Sequence, residues 1–224
     1  MQDQLVVAAQ KALLEANLIA GSKADPKAFM VDAFNEIVET YGWEAAYAAR
    51  DYALMDFAER GETVRAPEID LSAPVMEQVD SSGQWAVYGV EDDFGGAALG
   101  RLQGSMTRLV LQSYRDTILN TSRDVGQRTR TAVARVPEAG ACAFCRMLAS
   151  RGAVYGSAEK AQSTKDGRRF HDNCRCSTQI ARVDGADLPA SVKALEIEWG
   201  RFAGETDELS LKSYEKWLKE GRAK

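Results

Sequence analysis

All four cysteines of the chain and its single histidine fall into two short clusters. Cys142-Ala-Phe-Cys145 is a C-x2-C pair, and His171-Asp-Asn-Cys174-Arg-Cys176 supplies two more thiols and an imidazole. A C-x2-C turn places two thiolates about one metal ion, and a second group of ligands from a distant segment completes a tetrahedron. The 25 residues between Cys145 and His171 would form a closed loop. Five candidates (Cys142, Cys145, His171, Cys174 and Cys176) compete for four positions, so one of Cys174, Cys176 or His171 is left over or stands behind the ligands. Thiolates in this number favour a closed, structural zinc site over a catalytic one that keeps a position open for water. Arg175, between two thiolates, would ease their negative charge.

Other chemistries for these residues stay open at this point. Two disulfides would use the same cysteines, although a cytoplasmic site of synthesis argues against them. A redox C-x2-C pair is a second alternative, but the flanking sequence has no thioredoxin-like βαβ pattern. Buried cysteines that bind nothing are a third. A Cys-His hydrolase could use Cys142 or Cys174 as nucleophile and His171 as base. A Ser-His-Asp hydrolase would also need His171, and no G-x-S-x-G turn is present. A metal-dependent nuclease would lack a second histidine. The expectation is therefore a protein that is not an enzyme.

The elements that must position these residues are mainly helical. Leu5, Ala9, Ala12, Leu13 and Ala16 recur at helical spacing and predict a helix from about residue 4 to 19. Asp25-Pro26 opens a second helix, with a capping side chain and a proline suited to the first turn. Gly42 is expected to interrupt it, with a third helix from Trp43 to Arg60. A short helix over 75–88 is expected to break at Ser81-Ser82-Gly83, and 90–96 reads as a turn. The longest helical signal runs from about Ala97 to Thr121, and Arg101, Arg108 and Arg115 recur along it every seven residues. Such spacing keeps them on one face, either solvated or turned to a charged partner. Val133–Val136 reads as a strand, 142–150 as a helical turn, Val154-Tyr155 as β-prone, 156–169 as a surface loop and 174–183 as a strand. Helical pieces near 191–202 and 210–219 follow, joined by a turn at 204–207.

The predicted class is α+β, mainly α-helical: a helical N-terminal part plus a small zinc-clipped α+β module. The predicted division is 1–61 helical, 62–96 a linker or arm with a short helix, 97–183 the long helix and the Cys/His module, and 184–224 a helical tail. Charge is polarised along this order. Residues 1–98 hold 6 Lys and Arg against 18 Asp and Glu, whereas residues 99–176 hold 14 against 6. The basic middle could face nucleic acid or an acidic protein wall, or simply be neutralised by the acidic half. Arg101, Arg108, Arg115, Arg128 and Arg130 are the candidates for nucleic-acid or partner contact. No run of about 18 apolar residues suggests a membrane span, and the N-terminus lacks a signal-peptide pattern, so synthesis in a cytoplasm is expected.

Ala134-Arg-Val-Pro137, Cys142-Ala-Phe-Cys145, Met147-Leu-Ala-Ser-Arg-Gly-Ala-Val-Tyr155 and Phe170-His-Asp-Asn-Cys-Arg-Cys176 together resemble the C-terminal module of Mu F-like phage head morphogenesis proteins, in the form carried by phages of actinobacteria. The resemblance covers about residues 72–183, more weakly through Trp85-Ala86 and Arg115-Asp-Thr-Ile118. It implies a minor capsid protein, present in few copies, associated with the portal vertex and carried in the head of the virion after assembly in the host cytoplasm. It implies roles in head assembly and in DNA packaging or ejection. The implied partners are the portal protein, packaged DNA without sequence preference, and scaffold or major capsid protein. The cysteines and histidine are implied to bind metal. Some relatives fuse the module to a protease or toxin domain, and the roughly 40 residues after it are expected to be too few for either. A head maturation protease or nuclease, and a nucleic-acid-binding zinc module, are the rival readings.

Overall fold

The structure is a computed structural model, and it describes residues 2–64, 71–90, 96–155 and 172–221. Among these lie seven helices: α1 (Gln2–Ala20), α2 (Pro26–Glu59), α3 (Met76–Val87), α4 (Ala97–Thr129), α5 (Ala143–Ala149), α6 (Ala190–Glu205) and α7 (Leu211–Lys219). Two strands, β1 (Thr131–Val136) and β2 (Ser177–Arg182), pair antiparallel. The mainly helical α+β class is as the sequence predicts. The chain forms two compact units. The first takes the described residues up to Thr117 and the segment 172–175; the second begins at Ile118 and resumes at Cys176.

In the first unit α1 packs on α2 and α2 on α3. The apolar spacing of α1 buries Val6, Ala9, Leu13 and Ala20 on one face. Asp25 caps α2 by accepting from the Ala28 amide at 3.0 Å, and Pro26 occupies the first turn. The expected break at Gly42 does not occur, because α2 runs unbroken from Pro26 to Glu59. This glycine serves a close approach instead: a Cβ there would lie 2.3 Å from Pro74 Cγ. The break expected at Ser81-Ser82-Gly83 is absent too. Ser81 and Ser82 donate their hydroxyls back to the carbonyls of Glu77 and Gln78, which keeps them compatible with a helix. Gly83 lets α3 close on Phe34. The turn expected over 90–96 lies mostly outside the described residues, as do Pro67 and the loop 156–169.

Helix α4 is two turns longer than its sequence signal, and between Leu102 and Ser122 it is buried on most sides. In its first-unit part Leu102, Met106, Val110 and Tyr114 are enclosed, and so are Ser105, Thr107, Ser113, Arg115 and Thr117. Most buried hydroxyls find hydrogen bonds. Thr107 donates to the Gln103 carbonyl, and Thr117 Oγ1 accepts from the Ser72 amide at 3.1 Å.

The second unit is built on the β1–β2 ladder, which runs from Thr131 opposite Arg182 to Val136 opposite Ser177. The predicted strand 133–136 gains two residues at its start, and the predicted 174–183 loses residues at both ends. The β-prone Tyr155 pairs with Val133 through both backbone bonds, 3.0 and 3.2 Å, and its hydroxyl donates to the Leu148 carbonyl. Ala132, Ala134, Ala181, Leu188 and Val192 form one core. A second core is aromatic: Phe202, Tyr214 and Trp217, with Trp199 and Met147 against it. There Glu198 accepts from both Arg146 and the Tyr214 hydroxyl, tying α5, α6 and α7 together. Burial pushes the Tyr214 hydroxyl well above the usual phenol range, and the Glu198 carboxylate raises it further. Ser210 and Ser213 form a capping box at the start of α7.

Two outcomes follow from the first unit. Gly42→Ala gains about 1 kcal/mol of helix propensity, but the clash with Pro74 costs about 1–3 kcal/mol. The denaturation midpoint is expected to fall, and a rise would show that α2 does not need this contact. Burial also raises the Tyr114 hydroxyl to about 12, against a hydrogen bond from Gln2 and with help from the Asp56 carboxylate. The folded state therefore keeps its proton above the ordinary phenol value of about 10. Its contribution is complete below that pH and is lost as pH rises towards about 12. Melts of Tyr114→Phe between pH 9 and about 12 should fall less steeply than wild type.

Candidate metal centre

Cys142 is the N-cap of α5, and Cys145 sits one turn in, buried at 2% exposure. The β ladder explains why this turn meets the second cluster. Val136, the last residue of β1, is paired with Ser177, the first of β2. Cys176 therefore lies at the edge from which the chain leaves β1 towards α5. The C-terminal helices hold α5 from its other side, since α5 packs on both α6 and α7.

Upstream of Cys176 the chain is fixed residue by residue on α4. Asp172 accepts from Arg108 Nε at 2.8 Å, and Ser105 Oγ donates to it at 3.4 Å. Asn173 takes a left-handed backbone, φ 62°, and its amide donates to the Gly104 carbonyl at 3.1 Å. Gly104 permits this approach, because a Cβ there would lie 3.0 Å from the Asn173 side-chain amide and 3.2 Å from Asp172 Cβ. The fully buried Arg115 donates to the Cys174 carbonyl at 2.7 Å.

The result is a group of three buried thiols. The Sγ atoms of Cys145, Cys174 and Cys176 all lie within 4.8 Å of one another. A tetrahedral ion with metal–sulfur bonds of about 2.3 Å needs sulfurs about 3.8 Å apart, so shifts of about 1 Å or less would close the group on a metal. The donors are soft and enclosed, which suits a thiolate-binding ion. These three cysteines could bind a metal. Arg135, 1% exposed on β1, reaches Cys145 Sγ through Nη1 at 4.0 Å.

Of the five predicted ligands, the structure gathers Cys145, Cys174 and Cys176. Cys142 is exposed and outside the group, three residues from Cys145, and His171 lies outside the described residues. The predicted arginine face needs correction. Arg101, Arg108 and Arg115 do share a side of α4, but Arg115 is enclosed and serves the Cys174 backbone, so it offers no surface to a partner. Arg108 is half-buried against Asp172, and Arg101 lies over the Trp85 ring at 5.3 Å. Arg128 and Arg130 are exposed. Sequence reading missed Arg135, Asp172 and Gly104. A lone arginine inside the apolar run Thr-Ala-Val-Ala-Arg-Val was the available signal for the first.

The family model described as VG15 protein matches residues 2–201. The chain belongs to the VG15 protein family. This is a family of phage and viral gene products, and the match takes in all four cysteines and both strands. No curated protein and no solved structure matches the chain. Among the described residues no helix of this VG15 protein is long and apolar enough to cross a membrane.

Serine in place of Cys145, Cys174 or Cys176 should each lower bound metal well below wild type and remove the dependence of the melt on chelator. Cys142→Ser separates the two choices for a fourth ligand. A loss of affinity as large as that of Cys145→Ser would assign Cys142, and unchanged affinity would point to His171.

Proposed function

We propose that this VG15 protein is a non-enzymatic minor head protein of a tailed phage, of the Mu F-like type. In this reading it sits at the portal vertex, inside the head, and acts in head assembly and in DNA packaging or ejection. It is assembled from the host cytoplasm and has no membrane stage. The observation that carries the reading is the buried three-thiol group. It is formed by the same Cys142–Cys145 and His171–Cys176 segments that bear the Mu F-like resemblance, in a chain whose family consists of phage and viral gene products.

The physical role of the site in this proposal is a structural zinc clip. Zinc bound by the folded form alone would add its binding free energy to the stability of a small module with an alanine-rich core. Cys145, Cys174 and Cys176 would hold it, with Cys142 or His171 as the fourth ligand. Zinc supplies no chemistry here beyond cross-linking two stretches of chain, since a site filled by protein ligands leaves no place for water. The portal protein is the proposed main partner, with scaffold or major capsid protein as further ones. The exposed Arg128 and Arg130 would meet phosphates of packaged DNA without reading sequence.

Quantitative mass spectrometry of purified virions, intact and after DNA release, tests the assignment. The protein should be present at a small fraction of the major capsid protein, and particles made without it should be defective in packaging or ejection. Absence from virions that are otherwise complete would contradict a head role.

A further inference from the structure

Two arginines enclosed by protein stand at the thiol group: Arg135 on β1 and Arg115 on α4. Arg115 serves the Cys174 carbonyl, whereas Arg135 is directed at a sulfur, with Nη1 4.0 Å from Cys145 Sγ. The Arg135 guanidinium also lies over the ring of Phe144, 5.8 Å from the centroid. Phe144 is one of the two residues inside the C-x2-C turn, so the turn that carries the thiol also packs on the arginine. Arg135 stands opposite the buried Thr178 in the ladder, which fixes its backbone against β2.

A divalent ion with three thiolates and one neutral ligand carries a net charge of about −1, and with four thiolates about −2. Placing such a charge away from water is costly unless an opposite charge accompanies it. A guanidinium supplies such a positive charge. We propose that Arg135 is the positioning residue that makes the thiolate centre electrically tolerable: it cancels one negative charge of the loaded site and so sets its metal affinity. The proposal rests on the metal-binding reading above. It assigns a role outside the ligand set to a residue far from the second cluster in sequence. Loss of such supporting contacts typically weakens metal binding by about 10–100-fold.

Zinc affinity of the full chain, measured by competition with a chromophoric chelator, tests this directly. Cobalt(II) spectra of the same variants report whether thiolate ligation is retained. Arg135→Gln, which keeps hydrogen-bonding atoms and removes the charge, should bind zinc about 10–100-fold more weakly while still showing thiolate–cobalt absorption. Arg135→Lys, which keeps the charge, should fall by less than about tenfold. Equal affinity in wild type and Arg135→Gln would overturn the role of Arg135 and leave the metal site standing. A wild-type chain that binds neither ion would overturn both. Should Arg135→Gln not fold, Arg135→Lys decides: retained affinity supports the charge role, and affinity as low as that of Cys145→Ser contradicts it.

Discussion

Sulfur atoms from stretches of chain far apart in sequence must be held within bonding reach of one point, and they must be held there out of water. Cys145, Cys174 and Cys176 meet this condition to within 4.8 Å. Much of the surrounding structure can be traced to it. The β ladder ends in register so that Cys176 begins where β1 stops. The short α5, too small to be stable by itself, is fixed by the Glu198–Arg146–Tyr214 contacts and by the aromatic core of α6 and α7. The C-terminal helices thus act as the back wall of the element that carries Cys145.

The segment 172–174 is governed by a different set of forces. It has no regular secondary structure of its own, so its backbone groups need partners from elsewhere. Helix α4 supplies them: the Gly104 carbonyl accepts from the Asn173 amide and Arg115 donates to the Cys174 carbonyl, while Arg108 holds the Asp172 side chain. This accounts for Ser105, Arg108 and Arg115 on a largely buried stretch of helix. They are placed where their hydrogen bonds fix one conformation, and a purely apolar helix would pack but would not orient the cysteine-bearing segment.

Much of the fold and of the site is legible from residue types and spacing. Convergence of every cysteine on two clusters is enough to point to the site, and the apolar periods of α1, α2, α6 and α7 locate those helices. What residue types and spacing do not show is which side of a glycine or arginine faces the protein. Gly42 reads as a helix breaker because propensity is a local quantity, whereas its role is set by Pro74, distant in sequence. The seven-residue arginine spacing correctly places Arg101, Arg108 and Arg115 on one side of α4. It does not reveal that this side is covered by the 172–174 segment. Arg175 stands out beside the thiols because it is adjacent in sequence, whereas residue types and spacing do not reveal that Arg135 on β1 reaches the Cys145 sulfur. His171 lies outside the described residues, so its place among the ligands rests on sequence.

The central claim is that the thiol group is a metal clip in a VG15 family protein. Elemental analysis of the purified, reduced chain, paired with thermal melts before and after chelation, tests it most directly. The account predicts about one zinc per chain and a melt that falls on chelation and recovers when zinc is returned. A metal-free chain with four titratable thiols and a melt indifferent to chelator would contradict it.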